Sequence, residues 1–204
     1  MKIDQRGLRN GDNWYYRAEK AVREERYREA LDCCREALKE DSHNVEALLY
    51  QGYLHATFFR DYDQALSSYD QALEIDPRDA RVWRLKGKTF YNQDRFKKAI
   101  SCYNQALKLD PHDAETWEDK GDAVNCLGGR KNALTYYLRA IDENPAKASC
   151  WFIAGLTYEE LDRTGHAREC YEKAVETAGR EDEEIKIQAR IKLEQLNPED
   201  KTDK

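Results

Sequence analysis

The residues with chemistry to offer in this chain are four histidines, six cysteines and two sets of charged side chains. His43, His55, His112 and His166 are scattered, and none has a sequence neighbour at ligand or catalytic spacing. Cys33, Cys34, Cys102, Cys126, Cys150 and Cys170 include no C-x-x-C pair, the spacing from which structural zinc sites are usually built. There is no H-E-x-x-H, no glycine-rich phosphate loop and no nucleophile elbow. Glu115, Glu118, Asp119 and Asp122 put carboxylates on one helical face, where hard cations could find oxygen ligands. Carboxylates strung along one exposed helix are more often simply solvated, so neither a metal nor a cofactor is expected. Arg81, Arg84 and Lys88, spaced three and four apart, share a face, and Arg84 and Lys88 could hold a carboxylate. No nucleophile, base and orienting group converge, so the chain is expected not to be an enzyme and no catalytic residue is assigned.

The elements that carry these residues repeat. Trp14, Trp83, Trp117 and Trp151 fall on one column, with Leu48 in the slot between the first two. Pro77, Pro111 and Pro145 fall on another, 34 residues apart. Ala30, Ala65, Ala99, Ala133 and Ala167 make a third, and Ala37, Ala72, Ala106, Ala140 and Ala174 a fourth. A fixed period of this size marks stacked repeats, each too small to bury its own apolar face. Each unit reads as two helices. In the third copy they span 80–93 and 96–109, with Asp94-Arg95 turning between them and Pro111 ending the second. Asn44, Asp79 and Asp113 precede first helices and can cap their free amides. Gly52, Gly87, Gly121 and Gly155 follow the Trp column by four residues. Mid-helix glycine costs roughly 0.5–1 kcal/mol against alanine, so its recurrence implies close helix approach. Tyr69, Tyr103, Tyr137 and Tyr171 form a further column, where the first copy has Cys34. Cys33, Cys102 and Cys170 share one column in alternate copies, too far apart to bridge, so the cysteines are expected to be small buried fillers.

These columns resemble the tetratricopeptide repeat family, whose pattern is Trp, Gly and an aromatic in the first helix, then Ala, aromatic, Ala and a closing Pro. Five copies are counted, at 11–44, 45–79, 80–113, 114–147 and 148–181, after a lead-in over 1–10. The second has one extra residue, expected in the turn around 58–62. Ala18 replaces the first glycine, Ser42 the first proline and Gly179 the last, while Lys120 and Val124 depart from the apolar slots of their helix. The resemblance implies an all-α protein, a right-handed solenoid of five helix-turn-helix repeats. A helix over 182–197 would cap its end, with Ile185, Ala189, Leu193 and Leu196 on one face, followed by a polar tail over 198–204. Ile187 and Ile191 lie on the other side of that helix, so self-association through it is the rival to a simple cap; a monomer is favoured.

In that family the first helices line an inner wall where ligands lie. The resemblance therefore points to the first-helix residues not used in packing. These are Tyr15, Tyr16 and Glu19 in the first copy and Leu49, Tyr50 and Tyr53 in the second. Arg81, Arg84 and Lys88 follow in the third, then Glu115, Glu118, Asp119 and Asp122, then Phe152 and Leu156. The basic and acidic helices belong to consecutive copies and could also neutralise each other. An aromatic, basic, acidic and apolar series suits a protein or peptide segment better than one small substrate, so a non-catalytic scaffold or adaptor is expected. Some members grip the C-terminal carboxylates of heat-shock chaperones with a Lys/Asn/Arg clamp. The matching positions here hold Tyr15 and Glu19, so that partner is not expected.

Composition narrows the remaining classes. Net charge is −6 and 36% of residues are charged, so the overall field does not attract phosphate backbones. An RNA-binding helical array using the basic stripe of the third copy is the alternative, but nucleic acid is not the expected partner. No apolar run approaches the ~20 residues that span a bilayer. The first twelve residues are polar and do not read as a secretory leader, so a cytoplasmic location without a membrane partner is expected.

Overall fold

A computed structural model describes residues 13–196, and the lead-in and the polar tail fall outside them. Among the described residues there are eleven α-helices, one π-helical turn and no strand. The helices are α1 (Trp14–Arg23), α2 (Tyr27–Glu40), α3 (Val45–Leu54), α4 (Tyr62–Ile75), α5 (Ala80–Asn92) and α6 (Phe96–Leu109). They continue as α7 (Ala114–Cys126), α8 (Arg130–Glu143), α9 (Ala148–Glu160), α10 (Thr164–Thr177) and α11 (Glu183–Gln195). Asn44, Asp79 and Asp113 cap α3, α5 and α7 as their spacing predicts, and Asn13 and Asp61 cap α1 and α4 in the same way. Each such cap satisfies one amide that the helix itself leaves open.

The chain forms two compact units, dividing at Arg95–Phe96. The third repeat is thus shared, α5 closing the first unit and α6 opening the second. In the first unit each helix packs on the next, α1 on α2, α2 on α3, α3 on α4 and α4 on α5. In the second the same order runs from α6 to α10, and α11 lies against both α10 and α9. That is nearest-neighbour stacking, the hallmark of a repeat fold. Ala189 of α11 is fully buried and Leu193 and Leu196 pack on the core of the second unit, whereas Ile187 and Ile191 are about half exposed.

Two pairs of columns prove to be physically one feature each. The indole Nε1–H of Trp83 donates to the carbonyl of Pro77 at 3.1 Å, that of Trp117 to Pro111 at 2.8 Å, and that of Trp151 to Pro145 at 2.8 Å. Leu48 has no donor, and the residue six positions before it is Ser42, so one departure from the pattern accounts for the other. Likewise a Cβ at Gly52 would lie 2.5 Å from the ring of Tyr69, and one at Gly155 2.6 Å from Tyr171; Gly121 meets Tyr137 equally closely. The first copy changes both partners. Ala18 stands for the glycine and Cys34 for the tyrosine, and both are fully buried in one cluster.

A left-handed residue recurs in the turn of every repeat, at Glu25, Arg60, Asp94, Gly128 and Asp162. In four repeats the residue after it donates back across five positions, for example Arg95 N to Phe90 O at 2.9 Å. In the second repeat the bond spans six, Asp61 N to His55 O at 3.0 Å. The extra residue therefore lies before the turn, not in it. It is absorbed by a π-helical turn, His55–Phe59, that continues α3. A π-turn takes five residues where an α-turn takes four, which accommodates a one-residue insertion.

Candidate functional site

The first unit presents an unbroken series of aromatic contacts on its first helices. Trp14 meets Tyr15 edge-on at 5.6 Å between ring centres, and Tyr15 meets Tyr50 at 5.3 Å. Tyr50 lies 6.0 Å from Tyr53, Tyr53 6.0 Å from Phe58, and Phe58 stacks on Tyr27 at 4.1 Å. The strip thus joins α1, α3 and the π-turn to the start of α2. Tyr15 and Tyr53 remain 42% and 37% exposed, so the ring series is anchored inside and open outside. Burial, with Glu19 beside it, raises the Tyr15 phenol, and burial raises Tyr50 further; both stay neutral hydrogen-bonding groups. Tyr16 is also exposed, and Glu19 pairs with Arg23 at 3.3 Å. Leu49 does not belong to this surface. It is 6% exposed and sits in the core with Leu48, because α3 is packed by α2 and α4 together.

The basic face of α5 is partly committed. Arg81 donates to Glu46 of the preceding repeat at 2.7 Å and to its own capping residue Asp79 at 2.7 Å. Burial opposes the ionisation of Asp79, but the bonds from Arg81 outweigh it and hold the carboxyl below its usual range. Arg84 is half-buried and Lys88 exposed on the same helix.

In the second unit the carboxylates of α7 likewise have structural partners. Glu118 accepts from Lys147 Nζ at 2.5 Å and from Ser149 Oγ at 3.0 Å, the one closing its own repeat and the other opening the next. Asp122 accepts the hydroxyl of Tyr137 at 2.9 Å. Arg81 thus reaches back to Glu46 of the preceding repeat, and Glu118 reaches forward to residues at the start of α9. Glu115 is exposed and Asp119 half-buried. Phe152 and Leu156 are half-buried against the core, with Phe152 5.8 Å from Tyr171. Glu159, further along the same helix, accepts from Tyr171 Oη at 2.7 Å and from Lys192 of α11 at 3.2 Å, ties that the sequence of α9 alone does not show. The Tyr column was the available signal, since a buried phenol needs a partner one helix away.

The scattered histidines take structural places. His55 is buried in the π-turn, where desolvation lowers its pKa. His112 pairs with Glu143 at 2.8 Å, and His166 stacks on Tyr158 at 5.1 Å. Five cysteines are buried as expected. Cys126, at the end of α7, is exposed, because the helix ends there in an open turn. Among the described residues no three His, Cys, Asp or Glu side chains are grouped as metal ligands. No described helix is long and apolar enough to cross a membrane.

The repeated helical hairpins have counterparts among known proteins. A model of the tetratricopeptide repeat matches residues 15–80, 58–114 and 84–125, and a second model of that repeat matches 148–180, together well over half of the chain. Tetratricopeptide repeat protein 37 of Xenopus laevis is 34% identical over 83 residues, 40% of this chain and 5% of that protein. Superkiller complex protein 3 of Homo sapiens is 34% identical over 67 residues, 33% of this chain and 4% of that protein. The chain therefore spans about a twentieth of the length of these relatives. Among solved structures, PilF of Pseudomonas aeruginosa superposes with a TM-score of 0.75 at 20% identity, covering 92% of this chain and 91% of that one. TTC0263 of Thermus thermophilus gives 0.73 at 20% identity, covering 89% and 97%. YrrB, described as having an unusual peptide-binding site, gives 0.62 at 21% identity, covering 85% and 88%. At these identities the structures share the fold alone, an α-solenoid of helical hairpins. With the repeat model matched along most of its length, the chain belongs to the tetratricopeptide repeat family.

Proposed function

We propose that the protein is a non-catalytic adaptor that binds a segment of another protein on the exposed faces of its first helices, with the aromatic strip of the first unit as anchor. Tetratricopeptide repeats in general serve as protein–protein interaction scaffolds. The observation that carries the finer reading is the continuous series from Trp14 through Tyr15 and Tyr50 to Tyr53, whose outer members are left uncovered. Tyrosine brings large, rigid, amphipathic area at low entropic cost, which is why it is enriched at binding hot spots. The peptide-binding site named for YrrB supports a peptide ligand by analogy. Lys88, exposed on α5 of the same unit, adds a positive charge that an acidic segment could match. Cytoplasmic location is part of the same proposal.

The test is selection of peptides from a random display library on the whole protein, followed by affinity measurement for the selected sequences. Tyr15→Ala with Tyr53→Ala is expected to weaken binding at least tenfold with an unchanged helical signal. Lys88→Glu is expected to weaken acidic sequences selectively. Selected peptides that bind all three proteins equally would place the ligand elsewhere.

A further inference from the structure

The five repeats offer internal controls, and one of them shows a slot left open that two others fill. In the third repeat Lys86 lies over the ring of Trp83, 5.5 Å from its centre, and pairs with Asp70 of the preceding second helix. In the fourth repeat the equivalent Lys120 lies over Trp117 at 5.2 Å and over Tyr136 at 4.2 Å. Tyr136 in turn stacks on Trp117, with ring centres 6.0 Å apart and planes within 15°. These two indoles therefore each carry a lysine of the chain's own, and in the fourth repeat a tyrosine fills the space beside it.

The fifth repeat has neither. Thirty-four residues beyond Lys120 stands Ala154, and thirty-four beyond Tyr136 stands Cys170. Both are small and buried. What results is a cavity of about 410 Å³ over Trp151. That lies within the roughly 300–1,000 Å³ of ligand pockets. Its floor is apolar, made by Leu138, Trp151, Tyr158 and Cys170. Its rim carries Glu169, Glu172 and Glu176 along α10, with Lys173 and His166 beside them. Glu176 is matched by Lys173 at 2.7 Å. Glu169 and Glu172 make no ion pair among the described residues, and both are exposed. Burial pushes the Cys170 thiol up to about 11, so the floor carries no thiolate charge at neutral pH.

We infer that this cavity receives a lysine side chain from a partner protein, its methylene stem against Trp151 and Leu138 and its ammonium between the indole and the glutamates. The indole face attracts a cation through its quadrupole, and the two unmatched carboxylates supply the counter-charge that Asp70 supplies to Lys86. The rim glutamates run over seven residues of α10, roughly 10 Å of helix, which suits an extended segment better than a free amine. The surface is built from α8, α9 and α10 and is separate from the aromatic strip of the first unit.

The probe is a blocked peptide with one lysine between two leucines, compared with its norleucine and glutamate counterparts and with butylamine. Binding to the whole protein is followed through the indole N–H resonance of Trp151, identified by its loss in Trp151→Phe. The lysine peptide is expected to shift that resonance saturably, with the norleucine and glutamate peptides and butylamine at least tenfold weaker. Cys170→Tyr, which installs the side chain the fourth repeat already carries there, is expected to abolish the shift. Glu169→Gln with Glu172→Gln, both at exposed positions, is expected to weaken it at least fivefold and needs no core rearrangement. Tyr15→Ala with Tyr53→Ala is expected to leave it unchanged, which separates this site from the proposed aromatic anchor. The inference is overturned by no shift at millimolar lysine peptide, by equal binding of the norleucine peptide or of butylamine, or by undiminished binding to the glutamine pair.

Discussion

Replacing Gly155 by alanine tests why glycine recurs in the first helices. A Cβ at this position would lie 2.6 Å from Cε1 and 2.7 Å from Cδ1 of Tyr171. That ring is fully buried, and its hydroxyl is held by Glu159 at 2.7 Å, so it has no free direction in which to slide. Overpacking of this kind costs about 1–3 kcal/mol. Alanine gives back about 0.5–1 kcal/mol of helix preference over glycine. The net expectation for Gly155→Ala is a loss of about 0–2.5 kcal/mol. In a Tyr171→Cys background the obstruction is gone, and the same alanine should be neutral or stabilising by about 0.5–1 kcal/mol. The difference between the two backgrounds is the coupling energy of a double-mutant cycle, about 1–3 kcal/mol. The first repeat, with Ala18 and Cys34, is nature's version of the double variant. Urea unfolding followed by far-ultraviolet circular dichroism measures all four proteins. Because Tyr171→Cys alone removes about 3–5 kcal/mol, each sample contains the same stabilising osmolyte. Equal destabilisation by Gly155→Ala in both backgrounds, or stabilisation in the parent, would refute the reasoning.

Acid should loosen the terminal helix. Burial raises the Glu159 carboxyl, but the hydrogen bonds from Tyr171 and Lys192 outweigh it and leave it below the ordinary value of 4.5. A lowered carboxylate contributes stability that is fully present above pH 4.5 and disappears as pH falls through the folded value. Hydrogen exchange in α11 is expected to quicken over that window, after correction for intrinsic rates, and Glu159→Gln to remove the dependence; an unchanged profile in the variant would count against it. Thiol labelling with iodoacetamide under native conditions is expected to modify Cys126 alone. Cys34 and Cys150, pushed up to about 12 by burial, should react with the other buried thiols only after unfolding, and a second native adduct would contradict the packing.

The helical scaffold was legible because its signals are local and repeated. The boundaries expected for α6, the caps at Asn44, Asp79 and Asp113 and the close approach at Gly52, Gly121 and Gly155 all depend on residues a few positions apart. The coupling between columns was harder to read. Nothing within one helix says that Trp83 donates to Pro77, or that losing tryptophan at Leu48 goes with losing proline at Ser42. The candidate surface was least legible. A helical wheel sorts residues by face but does not reveal what stands opposite, so Glu118 and Arg81 read as available until Lys147 and Glu46 were seen beside them. Leu49 failed for the related reason that α3 is covered from more than one direction.

The π-turn at His55–Phe59 also bears on how such a chain can change its length. One residue added to a regular helix rotates all that follows by roughly 100°, which would turn every later side chain away from its neighbour. Here the widened loop of backbone swallows the addition before Arg60, and Pro77, Pro111 and Pro145 keep their even spacing downstream. An extra residue at this point is thereby absorbed locally, and the repeats that follow keep the register they would have without it.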